Sequence, residues 1–114
     1  MTKEMIGGEQ RSIFRVDGFI VPATARTQFL ERLMTIKSFL SSQPGCLYNR
    51  VAESDAGDGA TRMITIVEWQ NQTVFESAKS EAAAFYKQSG FSPAKFMEQM
   101  GIRPDFAIYR DLAE

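Results

Sequence analysis

A strand runs directly into a helix in residues 63–75, which read MITIVEWQNQTVF. The first half is rich in β-branched residues, which favour a strand. Asn71 then fits the N-cap of a helix. Trp69, the only tryptophan in the chain, stands at the junction. A large aromatic ring with one N–H donor is therefore placed at a sheet end, where binding pockets tend to form.

Length and composition predict one globular domain with its own core. The chain has 114 residues, of which 44 % are hydrophobic and 24 % charged. Thirteen Lys and Arg stand against 14 Asp and Glu, without a long basic run, so no nucleic-acid partner is expected. No apolar run approaches the roughly 20 residues that cross a bilayer. We expect a flexible N-terminus over residues 1–10, a domain over 11–114, no membrane partner and a cytoplasmic location.

Histidine is absent and Cys46 is the only cysteine. The chain therefore cannot build a Ser-His-Asp triad or a His-ligated metal or haem site. A lone cysteine excludes an intrachain disulfide and argues against a cysteine metal site. We expect no metal and no cofactor, so any chemistry must use carboxylates, Tyr, Lys, Arg, amides or the substrate's own reactivity.

Working outward from the junction, residue patterns predict four strands and three helices. The predicted strands are Ser12–Val21, Cys46–Glu53, Ala60–Trp69 and Asp105–Leu112. The predicted helices run from Thr24 or Ala25 to about Ser42, from the Asn71 cap to about Ser89, and from Ser92-Pro93 to Met100. Residues 55–59 form a turn-rich loop that permits only a hairpin.

This order predicts an α+β fold of the ferredoxin-like split βαβ type, with a four-stranded antiparallel sheet and its helices on one face. The other sheet face keeps apolar residues of the first strand. An uncovered apolar face in a globular protein usually has a partner. We therefore expect a homodimer in which the two sheets face one another.

Two segments, residues 43–47 (QPGCL) and 66–75 (IVEWQNQTVF), resemble the antibiotic biosynthesis monooxygenase family of dimeric α+β barrels. Members typically show a Pro-Gly-Phe-like turn into the second strand and a strand-end Trp followed six residues later by Phe or Tyr. The resemblance spans roughly residues 13–109, and the predicted topology agrees with it throughout. It implies the dimeric α+β barrel fold, whereas the motifs recur across members with different activities.

The resemblance implies two enzymatic chemistries, cofactor-free oxygenation of polycyclic phenols or anthrones to quinones, and haem degradation. Haem-degrading members carry a further Trp and a His where this chain has Ala78 and Gln88, and use Asn near the position of Asp17. Haem degradation is therefore disfavoured. Quinone-forming members accompany the Trp with an Asn and a Tyr, where this chain has Thr65 and Phe75.

Two functional hypotheses follow from these patterns. The first is a cofactor-independent, monooxygenase-like homodimer acting on a small apolar aromatic or quinone-type metabolite. The second is a non-catalytic dimeric module that binds or protects a small apolar ligand, and it gains weight from the missing Asn and Tyr. Haem binding through a ligand such as Tyr86 ranks last.

The candidate catalytic residues are Trp69, Tyr86 and Asn49. Trp69 offers an indole N–H and a stacking surface, or serves only as an anchor of the junction. Tyr86 offers a hydroxyl to a cavity between sheet and helix, or bonds the backbone at the core edge. Asn49 offers an amide to a ligand, or makes a cross-strand or interface hydrogen bond.

The candidate substrate-binding residues are three aromatics, Tyr48, Phe75 and Phe85. Phe75 and Phe85 fall on the apolar face of the second helix, which Tyr86 shares. Tyr48 and Asn49 are neighbours on one strand, where successive side chains point to opposite sheet faces. Only one of those two residues is therefore expected to face the helices.

Overall fold

The computed structural model describes residues 11–112, so the expected flexible segment 1–10 lies outside the described part of the chain. The strands are β1 (Ile13–Val21), β2 (Cys46–Gly57), β3 (Ala60–Trp69) and β4 (Arg103–Arg110). The helices are α1 (Arg26–Ser41), α2 (Gln72–Ser89) and α3 (Pro93–Met100), with a short 3-10 turn (Ala23–Ala25) before α1. The predicted α+β, ferredoxin-like order of elements is confirmed.

The four strands form one antiparallel sheet in the order β2-β3-β1-β4. Strand β1 lies inside the sheet, where Asp17 is opposite Thr65 of β3 and Phe106 of β4. Directly opposed residues project to the same face of a sheet. These three side chains therefore form one row across the sheet, on the side that the helices cover.

Three strands differ from the sequence prediction at one or both ends. Strand β1 begins one residue later than predicted, at Ile13. Strand β2 continues past Glu53 to Gly57, because β3 supplies hydrogen-bonding partners along this whole length. The connecting turn shrinks to Asp58 and Gly59, whose φ angles of 53° and 80° suit a tight hairpin. Strand β4 begins and ends two residues earlier than predicted, at Arg103 and Arg110, because it follows the register of β1.

The predicted caps of α2 and α3 are confirmed, whereas α1 begins at Arg26, just after the predicted start at Thr24 or Ala25, without a side-chain cap. Asn71 caps α2 by accepting a hydrogen bond from the Val74 N–H at 3.0 Å. Ser92 accepts one from the Lys95 N–H at 3.4 Å at the start of α3. Helices α2 and α3 end before Gly90 and Gly101. None of the helices within residues 11–112 is long and apolar enough to cross a membrane.

The core on the helix side of the sheet is divided into two apolar clusters. One contains Phe19, Val21, Ala25, Phe29, Leu33, Met63, Met97 and Ile102. The other contains Ile13, Val67, Trp69, Phe75 and Ala78. Between them, the strands present Arg15, Asp17 and Thr65 to the helices. This polar strip interrupts the apolar packing and marks the place of the candidate site.

Candidate functional site

A cavity of about 250 Å³ lies between the sheet and the three helices. Its volume is a little below the roughly 300–1,000 Å³ of typical small-molecule sites, so it suits a small ligand. Most of its wall is apolar and aromatic. The aromatic lining residues, besides Trp69 and Tyr86, are Phe19, Phe29, Phe75, Phe91, Phe96 and Phe106.

Trp69 lies at one end of this cavity with only 2 % of its surface exposed. It packs with Ile13 and Phe75, so it does anchor the sheet-helix junction. Its indole N–H makes no hydrogen bond to another residue of the described chain. The indole nitrogen is not fully buried. The N–H is therefore a free donor with some accessible surface, on a side chain that both anchors the junction and lines the cavity.

Tyr86 reaches the cavity from α2, among the rings of Phe85 and Phe91. Burial raises the pKa of its hydroxyl above the ordinary value; Arg15 lowers that pKa and Asp17 raises it further. The hydroxyl is therefore protonated at neutral pH and acts as a hydrogen-bond donor. Its electrostatic coupling to Arg15 and Asp17 places the three groups in one part of the cavity.

Asn49 also lines the cavity, but its amide already has partners on α1. Its Nδ2 donates to the carbonyl oxygen of Lys37 at 3.1 Å and to the Ser41 hydroxyl at 2.9 Å. These two bonds use both amide N–H donors and tie β2 to the last turns of the helix. Only the side-chain oxygen of Asn49 is left to accept a hydrogen bond from a ligand.

The three candidate substrate-binding aromatics separate in space. Phe75 is buried and lines the cavity. Tyr48 lies on the opposite face of the sheet, 45 % exposed, because the side chains of neighbouring strand residues alternate. Phe85 turns toward α1, where it stacks on Phe39 with ring centroids 4.5 Å apart. Tyr48 and Phe85 are therefore outside the cavity.

Arg15 and Asp17 form an ion pair in the cavity that the sequence pattern did not predict as a site. The Arg15 Nε donates to Asp17 Oδ1 at 2.7 Å, and the Arg15 guanidinium lies 5.2 Å from the centre of the Phe106 ring. Burial raises the pKa of the Asp17 carboxyl, and Arg15 lowers it to a smaller extent. The signal was present in β1, because two charged residues two apart share the face of Ile13 and Phe19.

The described lining of the cavity carries four cationic side chains and one carboxylate, although the chain as a whole has a net charge of −1. The cations are Arg15, Arg32, Lys37 and Lys79. Arg32 lies over the Phe91 ring at 3.9 Å, and Lys79 lies 3.3 Å from Glu76. Arg32 and Lys37 form no ion pair with a carboxylate of the described chain. The cavity therefore favours a ligand that carries or develops negative charge.

The fold and the cavity define a class of protein, the ferredoxin-like α+β domains with a cavity between sheet and helices. The sequence profile of the antibiotic biosynthesis monooxygenase family matches residues 13–84. This match covers more than half of the chain, and the protein belongs to that family. A search of the curated proteins gave no significant match.

Solved structures of low sequence identity share the fold over almost the whole chain. A candidate monooxygenase from Shewanella loihica PV-4 is 23 % identical, with a TM-score of 0.64 over 90 % of this chain and 96 % of its own. A variant of SnoaB, a cofactor-independent oxygenase from Streptomyces nogalater, is 18 % identical, with a TM-score of 0.62 over 90 % and 95 %. A dimeric ferredoxin-like protein from an uncultured marine organism is 11 % identical, with a TM-score of 0.64 over 91 % and 98 %.

Proposed function

We propose that this protein is a cofactor-independent monooxygenase of a small apolar aromatic substrate of the hydroquinone or anthrone type. The observation that carries the proposal is the aromatic cavity between sheet and helices, which is lined by Trp69, with its indole N–H, and by Tyr86, with its protonated hydroxyl. SnoaB, which shares the fold, is a cofactor-independent oxygenase. That likeness supports the reaction type, and the cavity supports the substrate class.

The proposed reaction needs no electron donor besides the substrate. An anthrone loses a proton from its CH₂ group, and the resulting carbanion gives electrons to dioxygen. One oxygen atom enters the product as a ketone, and the other leaves in water. The ring CH₂ is oxidised to C=O while O₂ is reduced, so atoms and electrons balance without flavin or metal.

The cavity lining suits this reaction because its intermediate is an anion. The negative charge of a deprotonated anthrone or phenol spreads onto an oxygen atom, which hydrogen-bond donors and nearby cations stabilise. Tyr86 and Trp69 are the donors in this proposal, and the four lining cations supply the positive potential. The apolar walls lower the local dielectric constant and so strengthen each of these interactions.

Oxygen uptake with anthrone and a panel of hydroquinones tests the proposal. The wild-type protein is expected to consume one O₂ for each quinone formed from anthrone. Trp69→Phe keeps an aromatic ring but removes the N–H, and loss of one stabilising donor is expected to slow turnover by roughly 10-fold or more. Phe85→Leu, outside the cavity, is the control. No uptake above the buffer rate for the whole panel contradicts the proposal.

A binding or protective module is the second candidate function. The hydrogen bonds of Asn49 favour this second function. Both of its amide N–H donors are already bonded to α1, so they are unavailable to a reacting oxygen. Under this alternative, the same aromatic compounds raise the melting temperature in a concentration-dependent way without product formation. Equal melting temperatures with and without ligand contradict it.

We further propose that a second copy of the chain covers the open face of the sheet. This face exposes Tyr48 and Tyr109 and half-exposes several further apolar side chains, among them Phe14, Val16, Ile64 and Ile66. One protein of the same fold is dimeric, and twofold pairing is the commonest way to bury such a surface. Ile66→Glu is expected to convert dimer to monomer in light scattering, and a wild-type monomer at micromolar concentration contradicts the proposal.

A further inference from the structure

We propose that Asp17 is the proton acceptor of the cavity, held in place by Arg15, and that it takes the proton from an acidic C–H or O–H group of the bound aromatic. This inference rests on the proposed site but goes beyond the donors Trp69 and Tyr86. It assigns the base that a carbanion-forming reaction needs. It also names the substrate class, which is aromatic compounds with an acidic C–H or phenolic O–H group.

The geometry holds the Asp17 carboxylate in a fixed position inside the cavity. Its side chain is only 16 % exposed, and it accepts a hydrogen bond from Arg15 Nε at 2.7 Å. Arg15 is itself held against the ring of Phe106. A carboxylate held by a charged donor that is itself packed in place keeps its orientation when a ligand enters.

Asp17 is the one carboxylate among the described residues that line the cavity, so no other carboxylate of this lining could act as the base. Arg15 lies beside it on β1, Thr65 opposes it on β3, and Tyr86 faces it from α2. The other charged lining groups are Arg32 and Lys37 on α1 and Lys79 on α2, and α3 contributes only Phe96 and Met97. Burial outweighs the cation beside Asp17 and raises its pKa, which makes the carboxylate a stronger base.

The proton transfer is balanced at each step. The carboxylate takes H⁺ from the substrate CH₂ group, whose C–H electron pair remains on the substrate as the enolate. The enolate carbon bonds to O₂ and forms a peroxide anion. That anion takes the proton back from the Asp17 carboxylic acid, and the hydroperoxide loses water to give the ketone. Asp17 ends the cycle as the carboxylate with which it began.

Anaerobic hydrogen–deuterium exchange of the anthrone CH₂ group in D₂O tests this step without any oxygenation. Wild-type protein is expected to accelerate the exchange, followed by NMR, and Asp17→Asn to lower the protein-catalysed rate by roughly 10²–10⁴-fold. Asp17→Glu is expected to recover part of the rate. The exposed Asp105→Asn on the other sheet face is the matched control. Anthrone binding, measured by equilibrium dialysis, is expected to be retained in Asp17→Asn.

Three results would overturn the inference. They are absence of exchange with the wild type, equal exchange with wild type and Asp17→Asn, and a protein-catalysed wild-type rate that does not rise with pH above 3.8, the ordinary pKa of this carboxyl. The pH profile needs no variant, so it remains decisive if Asp17→Asn does not fold. Exchange without oxygen uptake contradicts the oxygenase function and leaves Asp17 as the base.

Discussion

The two sides of the sheet are built from alternate residues of the same strands, yet they differ sharply. On β3, Met63, Val67 and Trp69 are buried under the helices, whereas Ile64 and Ile66 on the other side stay half-exposed. The helix side contains a cavity lined mostly by apolar and aromatic side chains, with a few polar groups among them. The open side leaves several apolar side chains half-exposed, among them Phe14 and Val16. The strand alternation therefore separates the proposed site of the reaction from the proposed surface of dimerisation.

The largest difference between the two sides is expected in the free energy of unfolding, when the neighbouring β3 residues Met63 and Ile64 are each replaced by alanine. Met63 is 1 % exposed in the larger core cluster, so Met63→Ala should lower the free energy of unfolding by about 2–5 kcal/mol. Ile64→Ala removes a side chain from the open face. Urea unfolding monitored by circular dichroism measures both.

The dependence on protein concentration sharpens this first comparison. If a second copy covers the open face, the loss caused by Ile64→Ala should grow with protein concentration, because the wild-type dimer gains stability by mass action. The loss caused by Met63→Ala should not change with concentration. If the loss of stability caused by Ile64→Ala is the same at every protein concentration, the proposed pairing through the open face is contradicted.

A smaller effect is expected where the helix side is closed by contact between Gly45 and α2. Gly45 has φ 85°, and a Cβ placed there would lie 2.5 Å from a methyl carbon of Val74. Gly57 has a similar φ of 92° but open space around it. Gly45→Ala should therefore cost about 1–3 kcal/mol more than Gly57→Ala, because only the first adds a steric clash. Equal melting temperatures for the two variants would contradict the close contact.

The polar strip of the helix side predicts a pH dependence of stability. The pKa of Asp17 is raised by folding, so the unfolded chain loses this proton first as pH rises above the ordinary value of 3.8. Wild-type protein should therefore lose stability relative to Asp17→Asn as pH rises from 3.8 through the raised pKa, and the difference should then level off. Melting temperatures of both proteins across this range measure it. A melting temperature of the wild type that rises relative to that of Asp17→Asn over this range would contradict the burial of Asp17.

The smallest effect is expected from neighbouring residues of α2 that point into and away from the cavity. Tyr86→Phe removes one hydrogen-bond donor from the cavity, so binding of an anthrone-type ligand should weaken about 2- to 10-fold. Phe85→Leu alters only the contact with Phe39 between the helices and should leave the affinity unchanged. Calorimetric titration compares the two. An equal loss in both variants would point to general loosening of α2.

Local patterns predicted the fold because the elements that build it carry their signals in short segments. Strand β3 begins and ends at the predicted residues, and Asn71 and Ser92 cap the helices as expected. The predicted end of β2 was wrong because the length of this strand depends on its partner. Pairing with β3 continues past Glu53 into residues whose sequence is typical of a loop. Strand lengths are thus set by register, which a single segment does not contain.

The site was only partly foreseeable for the same reason. Trp69, Tyr86 and Asn49 all line the cavity, but helix and strand periodicity could not show that the Asn49 amide is bonded to α1 or that Phe85 turns toward Phe39. Those outcomes depend on how α1 and α2 approach each other. Asp17 was compared with the family pattern but was not predicted as a site residue, because its importance comes from burial among residues of other strands and helices.

The sequence by itself determined the order of elements, the absence of imidazole chemistry and the strand-end position of Trp69, because composition, period and caps are local properties. Tertiary structure decided which polar groups meet. Antiparallel pairing set Asp17 beside Thr65 and Phe106 on one sheet face, and helix packing brought Tyr86 and the cations over them. Burial then raised the pKa values of Asp17 and Tyr86, because desolvation depends on the whole assembly of elements.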